Sequence, residues 1–278
     1  MDYVYYNGWY GKRSEASISL ADRSIFFGDG VYDCMIGKNG KVYQEAEHIS
    51  RLRNCSTKIF LELNFSDAYI SKIIKKLIEL SGYETYIVYI AVSRYAKIRK
   101  HYISDFSRSN LLITITEHQL ASENESISLK SCEDIRYQMC NIKTLNLLPS
   151  VLAAKTAEEN GYDEAVFLRN GSVTECSHSN VAILKNGEII THPTGKFILP
   201  GITRDNLIRA AQKLSIPVLE KEFGYQDLID ADEVLVTATT SFIRRVSRVD
   251  NNSIKCSADN LVMALCSIVR SDFNEFCC

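Results

Sequence analysis

Two α+β domains in series are the fold class that this sequence predicts. Its 278 residues exceed what one small core organises. Segments with apolar residues at helical spacing alternate with short runs rich in Val, Ile, Tyr and Thr. A polar stretch, EHQLASENES at 117–126, interrupts that alternation and sets the expected boundary.

Residues 3–6 predict a strand that ends at the turn pair Asn7-Gly8, and residues 18–20 alternate weakly. Residues 31–36, the Asn39-Gly40 turn and residues 41–43 predict a hairpin. From 48 to about 60, Ile49, Leu52, Cys55 and Ile59 recur at helical spacing; Ile70, Ile73, Ile74, Leu77 and Leu80 do so over 67–80. Strands follow at 85–92 and 111–116. Beyond the boundary, the pattern predicts a strand at 127–132, a helix at 147–159, and strands at 165–168 and 181–184. Asn186-Gly187 leads to a return strand at 188–191. A helix over 203–214 follows Pro200-Gly201, 234–236 is a short buried strand, and 260–269 is a closing helix. The chain shows no internal repeat or low-complexity tract.

Hydrophobic residues make up 46% of the chain and charged residues 24%, which excludes a disordered or collagen-like protein. With 32 basic and 34 acidic side chains the net charge is -2, so nothing in the balance calls for a nucleic acid or membrane partner. The first ten residues lack the pattern of a secretory signal, and no run approaches the ~20 apolar residues of a membrane span. The nine cysteines are odd in number and irregularly spaced, without paired CxxC units. They predict thiols in a reducing cytoplasm, and neither a disulfide framework nor a structural metal is expected.

Several segments carry candidate chemistry. Gly28 and Gly30 flank Asp29 ahead of a strand, a weak signal by itself that reads as a turn needing permissive backbone angles. Tyr32 is a core aromatic or a reactive phenol. Arg94, Lys97, Arg99, Lys100 and His101 form a basic cluster, which reads as a solvated loop or an anion site. Lys143 lies in NIKTLNLL, a lone cation among apolar and neutral residues. An amine withdrawn from water becomes a nucleophile or a Schiff-base lysine, although lysines also snorkel from ordinary cores. Thr203 opens a helical pattern after Gly201, as a cap or a phosphate contact. The hydroxyls of VTATTS at 236–241 close a turn or bind phosphate.

Together these segments resemble the fold-type IV pyridoxal-phosphate enzymes, with D-amino-acid aminotransferases the nearest group and branched-chain aminotransferases and aminodeoxychorismate lyases as relatives. The matching stretches are DRSIFFGDGVYD at 22–33, HISRL at 48–52, SRYAKIRKH at 93–101, DIRYQMCNIKTLNLL at 134–148, DEAVFLRNGSVTECSHSNV at 163–181, LPGITRD at 199–205 and DEVLVTATTS at 232–241. The resemblance implies a two-domain α+β fold: a smaller N-terminal domain over 1–120, and a larger α/β-barrel-like domain over 121–278 carrying the cofactor lysine. It implies pyridoxal 5'-phosphate as cofactor and Lys143 as the residue that holds it covalently. Arg51, Ile202, Thr203 and Thr239 are the implied phosphate contacts. Glu175 faces the pyridine nitrogen, and Leu199 supports the ring. Tyr32, Arg99 and His101 are the implied substrate contacts, the last two clamping the α-carboxylate.

The activity so implied is transamination between a D-amino acid such as D-alanine and a 2-oxo acid. A cytoplasmic homodimer with its active site near the subunit interface is also implied. The alternatives are an aminodeoxychorismate lyase, a branched-chain L-amino-acid aminotransferase and an inactive protein on the same scaffold. Departures from the family pattern are Cys176 for a small Gly, His178 in a Ser-rich stretch, Asp33 for a common Glu, and the bulkier 95–98 segment ahead of Arg99. The first two are expected to alter the pocket wall beside Glu175.

Overall fold

The computed structural model describes residues 2–95, 99–102, 108–122 and 125–278. Residues 96–98, including the Lys97 of the basic cluster, lie outside them. The chain forms two compact units. The first comprises Met1–Leu120, Ile142–Asn146 and Glu275–Cys278; the second comprises Ala121–Asn141 and Leu147–Asn274.

The first unit holds strands β1 (Tyr3–Tyr6) and β2 (Trp9–Lys12), a short helix α1 (Ser24–Phe27), strands β3 (Gly30–Lys38) and β4 (Lys41–Val42), helices α2 (Glu45–Lys58) and α3 (Asp67–Ser81), and strands β5 (Thr85–Arg94) and β6 (Ser109–Glu117). The sheet is antiparallel throughout, in the order β2-β1-β6-β5-β3-β4. Residues 18–20 form no strand, and Leu20 is exposed. The register of β3 against β5 sorts side chains by face. Val31, Asp33 and Met35 lie opposite Val92, Ile90 and Val88, and Tyr32 and Cys34 lie opposite Ala91 and Tyr89. The Val31 face is buried with Leu52 of α2 and with Ile70, Ile73, Ile74 and Leu77 of α3. Ser66 caps α3 by accepting from the Tyr69 N–H at 3.2 Å, and Gly82 ends it at φ 66°, a value that favours glycine.

By its contacts the segment Ile142–Asn146, which contains Lys143, groups with this first unit. It adds to β3 on the edge that β5 leaves open. The Tyr32 N–H donates to the Lys143 carbonyl at 2.9 Å, and the Leu145 N–H donates to the Gly30 carbonyl at 3.1 Å. Thr144 stands opposite Val31 in antiparallel pairing, and Ile142 is buried in the first core. These backbone bonds and that buried side chain give the segment to β3.

The second unit contains β7 (Ile127–Glu133), α4 (Leu148–Glu159), β8 (Glu164–Arg169), β9 (Ser172–Cys176), β10 (Asn180–Lys185), β11 (Glu188–Thr191), α5 (Ile202–Lys213), β12 (Val218–Glu220), α6 (Tyr225–Ile229), β13 (Glu233–Ala238), β14 (Phe242–Val249), β15 (Asn252–Ser253) and most of α7 (Asp259–Cys277). Its mixed sheet runs β12-β11-β10-β13-β14-β7-β8-β9, with β15 beside β14. β9 ends that path, yet a tight turn joins it to β10, and the Cys176 N–H donates to the Ser179 carbonyl at 2.8 Å. The sheet therefore curls back on itself around a core that includes Val166, Val173, Cys176, Val181, Val234 and Val246. Asn-Gly pairs with positive φ at 7–8, 39–40, 170–171 and 186–187 make four of the tight turns.

Leu77 is fully buried in the first core. Leu77→Ala is expected to lower the unfolding free energy by about 2–5 kcal/mol in urea titration. A loss under about 1 kcal/mol would contradict that packing.

Candidate active site

Two clusters of chemically capable side chains emerge, one in each unit. In the first, the Lys143 Nζ lies 4.5 Å from the centre of the Tyr32 ring, which stacks on Tyr89 at 5.4 Å. The β3 edge bonds place both residues, and the Lys143 N–H also donates to the Cys55 Sγ at 3.3 Å. Two glycines permit this approach. A Cβ on Gly28 would sit 2.6 Å from the Asn146 Oδ1, and one on Gly30 would sit 2.5 Å from the Val92 carbonyl and 2.7 Å from a Leu145 methyl. Asn146 locks the contact by donating to the Gly28 carbonyl at 2.9 Å. The Gly28-Asp29-Gly30 turn thus makes room for the lysine segment. Cys34 follows Tyr32 on the same sheet face. Burial pushes its thiol up to about 11, the Lys143 charge opposing and Asp33 adding, so it stays protonated at neutral pH.

Behind this face, Asp33 points at α2 from an otherwise apolar row. The Arg51 Nε and Nη2 donate to its two oxygens at 2.8 and 2.7 Å, and the His48 Nδ1 lies 2.7 Å from it. Burial alone would raise the Asp33 carboxyl, but the Arg51 charge and the His48 and Arg51 hydrogen bonds outweigh it and hold it well below the carboxylate range. Burial lowers the His48 imidazole despite Asp33, so a neutral ring donates its Nδ1–H to the carboxylate. Arg51 is raised because Asp33 outweighs its desolvation. Asp33 therefore fixes the orientation of Arg51, a role the sequence reading had missed. The available signal was a carboxylate at an inward strand position, with basic residues three apart on the next helix.

Arg99 and His101 gather elsewhere in this unit, around Phe27 of α1: the Arg99 Cζ is 5.0 Å from the ring centre, and the His101 ring is 5.3 Å away. Among the described residues, no hydrogen bond, ion pair or ring contact joins either of them to Tyr32 or Lys143.

In the second unit, Glu175 is the centre. Its Oε2 accepts from the Asn180 Nδ2 and from the Leu199 N–H, both at 2.9 Å, and its Oε1 accepts from Arg136. Arg136 is itself held by Asp134 through Nε and Nη2 at 2.9 Å, and its guanidinium lies 4.3 Å over the Phe167 ring. Arg169 and Thr174 also donate to Asp134. Burial would raise Asp134, but hydrogen bonds from Arg136 and Arg169 hold it down. Arg136 is driven up because Asp134 and Glu175 outweigh its desolvation. Arg136 too escaped the sequence reading, in which it appeared only within a matching stretch.

Leu199 leads through Gly201 into α5. A Cβ at Gly201 would sit 2.0 Å from the Asn180 Oδ1, so this crossing requires glycine. Gly201 offers no side-chain cap, and buried Ile202 and Thr203 form the first turn. Across the sheet, Asn180 stands opposite Thr237, whose buried hydroxyl has no partner among the described residues. Thr239 follows in the turn after β13. Cys176 does not wall this site as expected. It is buried in the core beside Val173 and Val181, where burial pushes its thiol far up. His178 is exposed, with its Nδ1 3.0 Å from Glu164.

Each cluster has donors that suit part of a phosphorylated, aldehyde-bearing heterocycle. In the first unit an amine rests against an aromatic face and a positioned arginine suits an anion; in the second a helix start without a side-chain cap suits an anion and a carboxylate held from both oxygens suits a ring nitrogen. The buried Thr237 hydroxyl, without a partner among the described residues, is a further polar group of the second unit that suits a ligand.

Comparison with known proteins agrees. The family model for amino-transferase class IV matches residues 30–249. The chain is 35% identical over 244 residues to a D-alanine aminotransferase of Listeria monocytogenes serotype 1/2a, covering 86% of this chain and 84% of that one. It is 33% identical over 257 residues to a D-alanine aminotransferase of Staphylococcus aureus strain MSSA476, covering 91% of each. Among solved structures, a T.th. branched-chain amino acid aminotransferase with pyridoxamine 5'-phosphate superposes with a TM-score of 0.90 at 22% identity, covering 98% of this chain and 94% of the other. A putative 4-amino-4-deoxychorismate lyase from Legionella pneumophila gives 0.86 at 23%, covering 94% and 97%. The chain belongs to the class IV aminotransferases and is a pyridoxal-phosphate-dependent enzyme of the fold type that its sequence implied.

The Asp33 cluster has a pH signature. Its folded value is depressed below the ~3.9 of a free aspartate. Its contribution is therefore complete above about pH 4 and is lost as pH falls further. Asp33→Asn is expected to cost about 3–5 kcal/mol at neutral pH, because Arg51 loses its buried partner. The deficit should narrow as denaturant titrations are carried down to about pH 2.5. An unchanged deficit would contradict the ionised pair.

Proposed function

We propose that this enzyme moves the amino group of a D-amino acid such as D-alanine to a 2-oxo acid. The observation that carries the reading is 33–36% identity over most of the chain to curated D-alanine aminotransferases. The structural neighbours cited above are less than 25% identical and support the fold alone. The Arg99-Lys100-His101 triplet supports the same choice, since it resembles the carboxylate clamp of the D-specific enzymes.

The proposed residue roles are those the family resemblance implies, and the two clusters support them. Lys143 is the covalent attachment point. Arg51, held by Asp33, is assigned to the cofactor phosphate together with the α5 start at Ile202 and Thr203, and with Thr239. Leu199 contributes its side chain beside the ring, while its N–H orients Glu175. Glu175 is assigned to the pyridine nitrogen, where an ionised carboxylate keeps a proton in place. Pyridoxal phosphate, when bound, supplies the electron sink that makes the substrate's Cα–H acidic. With the cofactor bound, the Lys143 Nζ would be the base that takes that α-proton, and Tyr32 limits where the amine can swing. Arg99 and His101 bind the substrate carboxylate. With the Cα–H aimed at one amine, reversing chirality exchanges the carboxylate and side-chain sites, so a fixed clamp selects one enantiomer.

On this reading the enzyme is a homodimer whose partner subunit contributes to the substrate site. It works in a reducing cytoplasm, in keeping with nine free cysteines. The deciding assay runs D-alanine and L-leucine in parallel with 2-oxoglutarate, and tests aminodeoxychorismate separately. Formation of pyruvate and glutamate from D-alanine, with neither leucine turnover nor 4-aminobenzoate, is expected. Formation of 4-aminobenzoate alone would overturn the assignment in favour of a lyase.

Lys143→Ala is expected to reduce transamination by about a thousandfold or more, with the far-ultraviolet circular dichroism of the fold retained. Turnover at the wild-type rate would remove Lys143 from the mechanism.

A further inference from the structure

The segment bearing Arg99 and His101 is held in an unusual way. Arg23, just ahead of α1, is buried, and its Nε donates to Asp29 at 2.7 Å. Its Nη1 reaches the Lys100 carbonyl, the backbone oxygen between Arg99 and His101. Asp29 is shared with a second buried arginine, Arg94, whose Nε lies 3.2 Å from the Asp29 Oδ2. Arg94 also donates from Nη2 to the Ile59 carbonyl and from Nη1 to the Phe60 carbonyl, both at 2.7 Å. Two buried guanidinium groups thus share one carboxylate, an arrangement that stability alone does not favour. The backbone ties the same parts together: the Arg23 N–H donates to the Arg94 carbonyl, and the Arg94 N–H donates to the Asp29 carbonyl, each at 3.0 Å.

The side chains are fixed by one ring. Phe27 has the Arg23 Cζ at 4.3 Å, the Arg99 Cζ at 5.0 Å, and the His101 ring edge-on at 5.3 Å and 66°. Arg99 also lies 5.7 Å from the Phe26 ring. Among the described residues no carboxylate pairs with Arg99. A guanidinium held against an aromatic face keeps its N–H edge for an anion, whereas one paired with a carboxylate does not.

We propose that Phe27 and Arg23 are positioning residues of the substrate-carboxylate site: Arg23 fixes the backbone at Lys100, and Phe27 fixes the planes of Arg99 and His101. Neither touches the substrate. Their effect falls on the affinity for the carboxylate of the amino acid and the 2-oxo acid, and not on cofactor binding. The proposal rests on the reading of Arg99 and His101 as the clamp.

The test uses the holoenzyme and measures KM and kcat for D-alanine and 2-oxoglutarate, the absorption spectrum of the bound cofactor, and the midpoint of thermal unfolding. Arg99→Ala serves as the reference. Phe27→Leu is expected to raise both KM values about three- to tenfold, with kcat changed less, the cofactor spectrum unchanged and the unfolding midpoint near wild type. Phe27→Tyr, which keeps the ring, should restore most of the affinity. Phe27→Leu added to Arg99→Ala should raise KM no further, because the ring acts through the guanidinium. Arg23→Lys, which keeps a charge for Asp29 but shortens the reach to Lys100, should repeat the KM effect by a second route. Unchanged KM in both Phe27→Leu and Arg23→Lys, with KM raised in Arg99→Ala, would overturn the proposal and leave the clamp standing. Additive effects of Phe27→Leu and Arg99→Ala would also overturn it. An unchanged KM in Arg99→Ala would overturn the clamp reading, and the proposal with it.

Discussion

With Lys143 in its proposed role, the chemistry of this enzyme depends on a few main-chain hydrogen bonds along the open edge of β3. They bring a five-residue segment, Ile142–Asn146, out of its sequence neighbourhood and into register with the strand that carries Tyr32. A reactive amine on a loop would sample many positions. An amine on a segment paired to a sheet is confined to one, with an aromatic face beneath it. The glycines at 28 and 30 and the Asn146 amide serve this one approach. Their requirement is steric: a side chain at either glycine meets the lysine segment or its neighbouring strand.

Both clusters rest on a buried carboxylate whose oxygens are already spoken for. Asp33 holds Arg51 and His48; Glu175 is held by Arg136, Asn180 and the Leu199 N–H. In each case charge is taken out of water only where partners stand ready, as burial demands. The consequence is preorganisation. An arginine already oriented and a carboxylate already bracketed need no rearrangement when a ligand arrives.

Much of this was legible in the sequence for identifiable reasons. The apolar stripes of α2 and α3 and the Asn-Gly turns at 7, 39 and 186 are local signals, and the elements they mark formed with ends shifted by only a few residues. Strand β14 was not anticipated, because Arg244, Arg245 and Arg248 obscure its alternation, and β9 was hidden although Asn170-Gly171 announces its hairpin. The closing helix runs to Cys277, beyond the expected end, since its last turns carry apolar residues among charged ones. The pairing of the Lys143 segment with β3 was not legible, because it is a long-range event that composition around residue 143 does not encode. Arg136 and Asp33 were missed for a related reason. Each acts by holding another charged residue, and such partnerships become visible only when the elements are assembled.

The most direct measurement of the central claim is to reconstitute the purified chain with pyridoxal phosphate, reduce it with borohydride and map the modified peptide by mass spectrometry. The account predicts a single phosphopyridoxyl adduct on Lys143, with none on Lys130 or Lys155. An adduct confined to another lysine, or no adduct after full reconstitution, would contradict it.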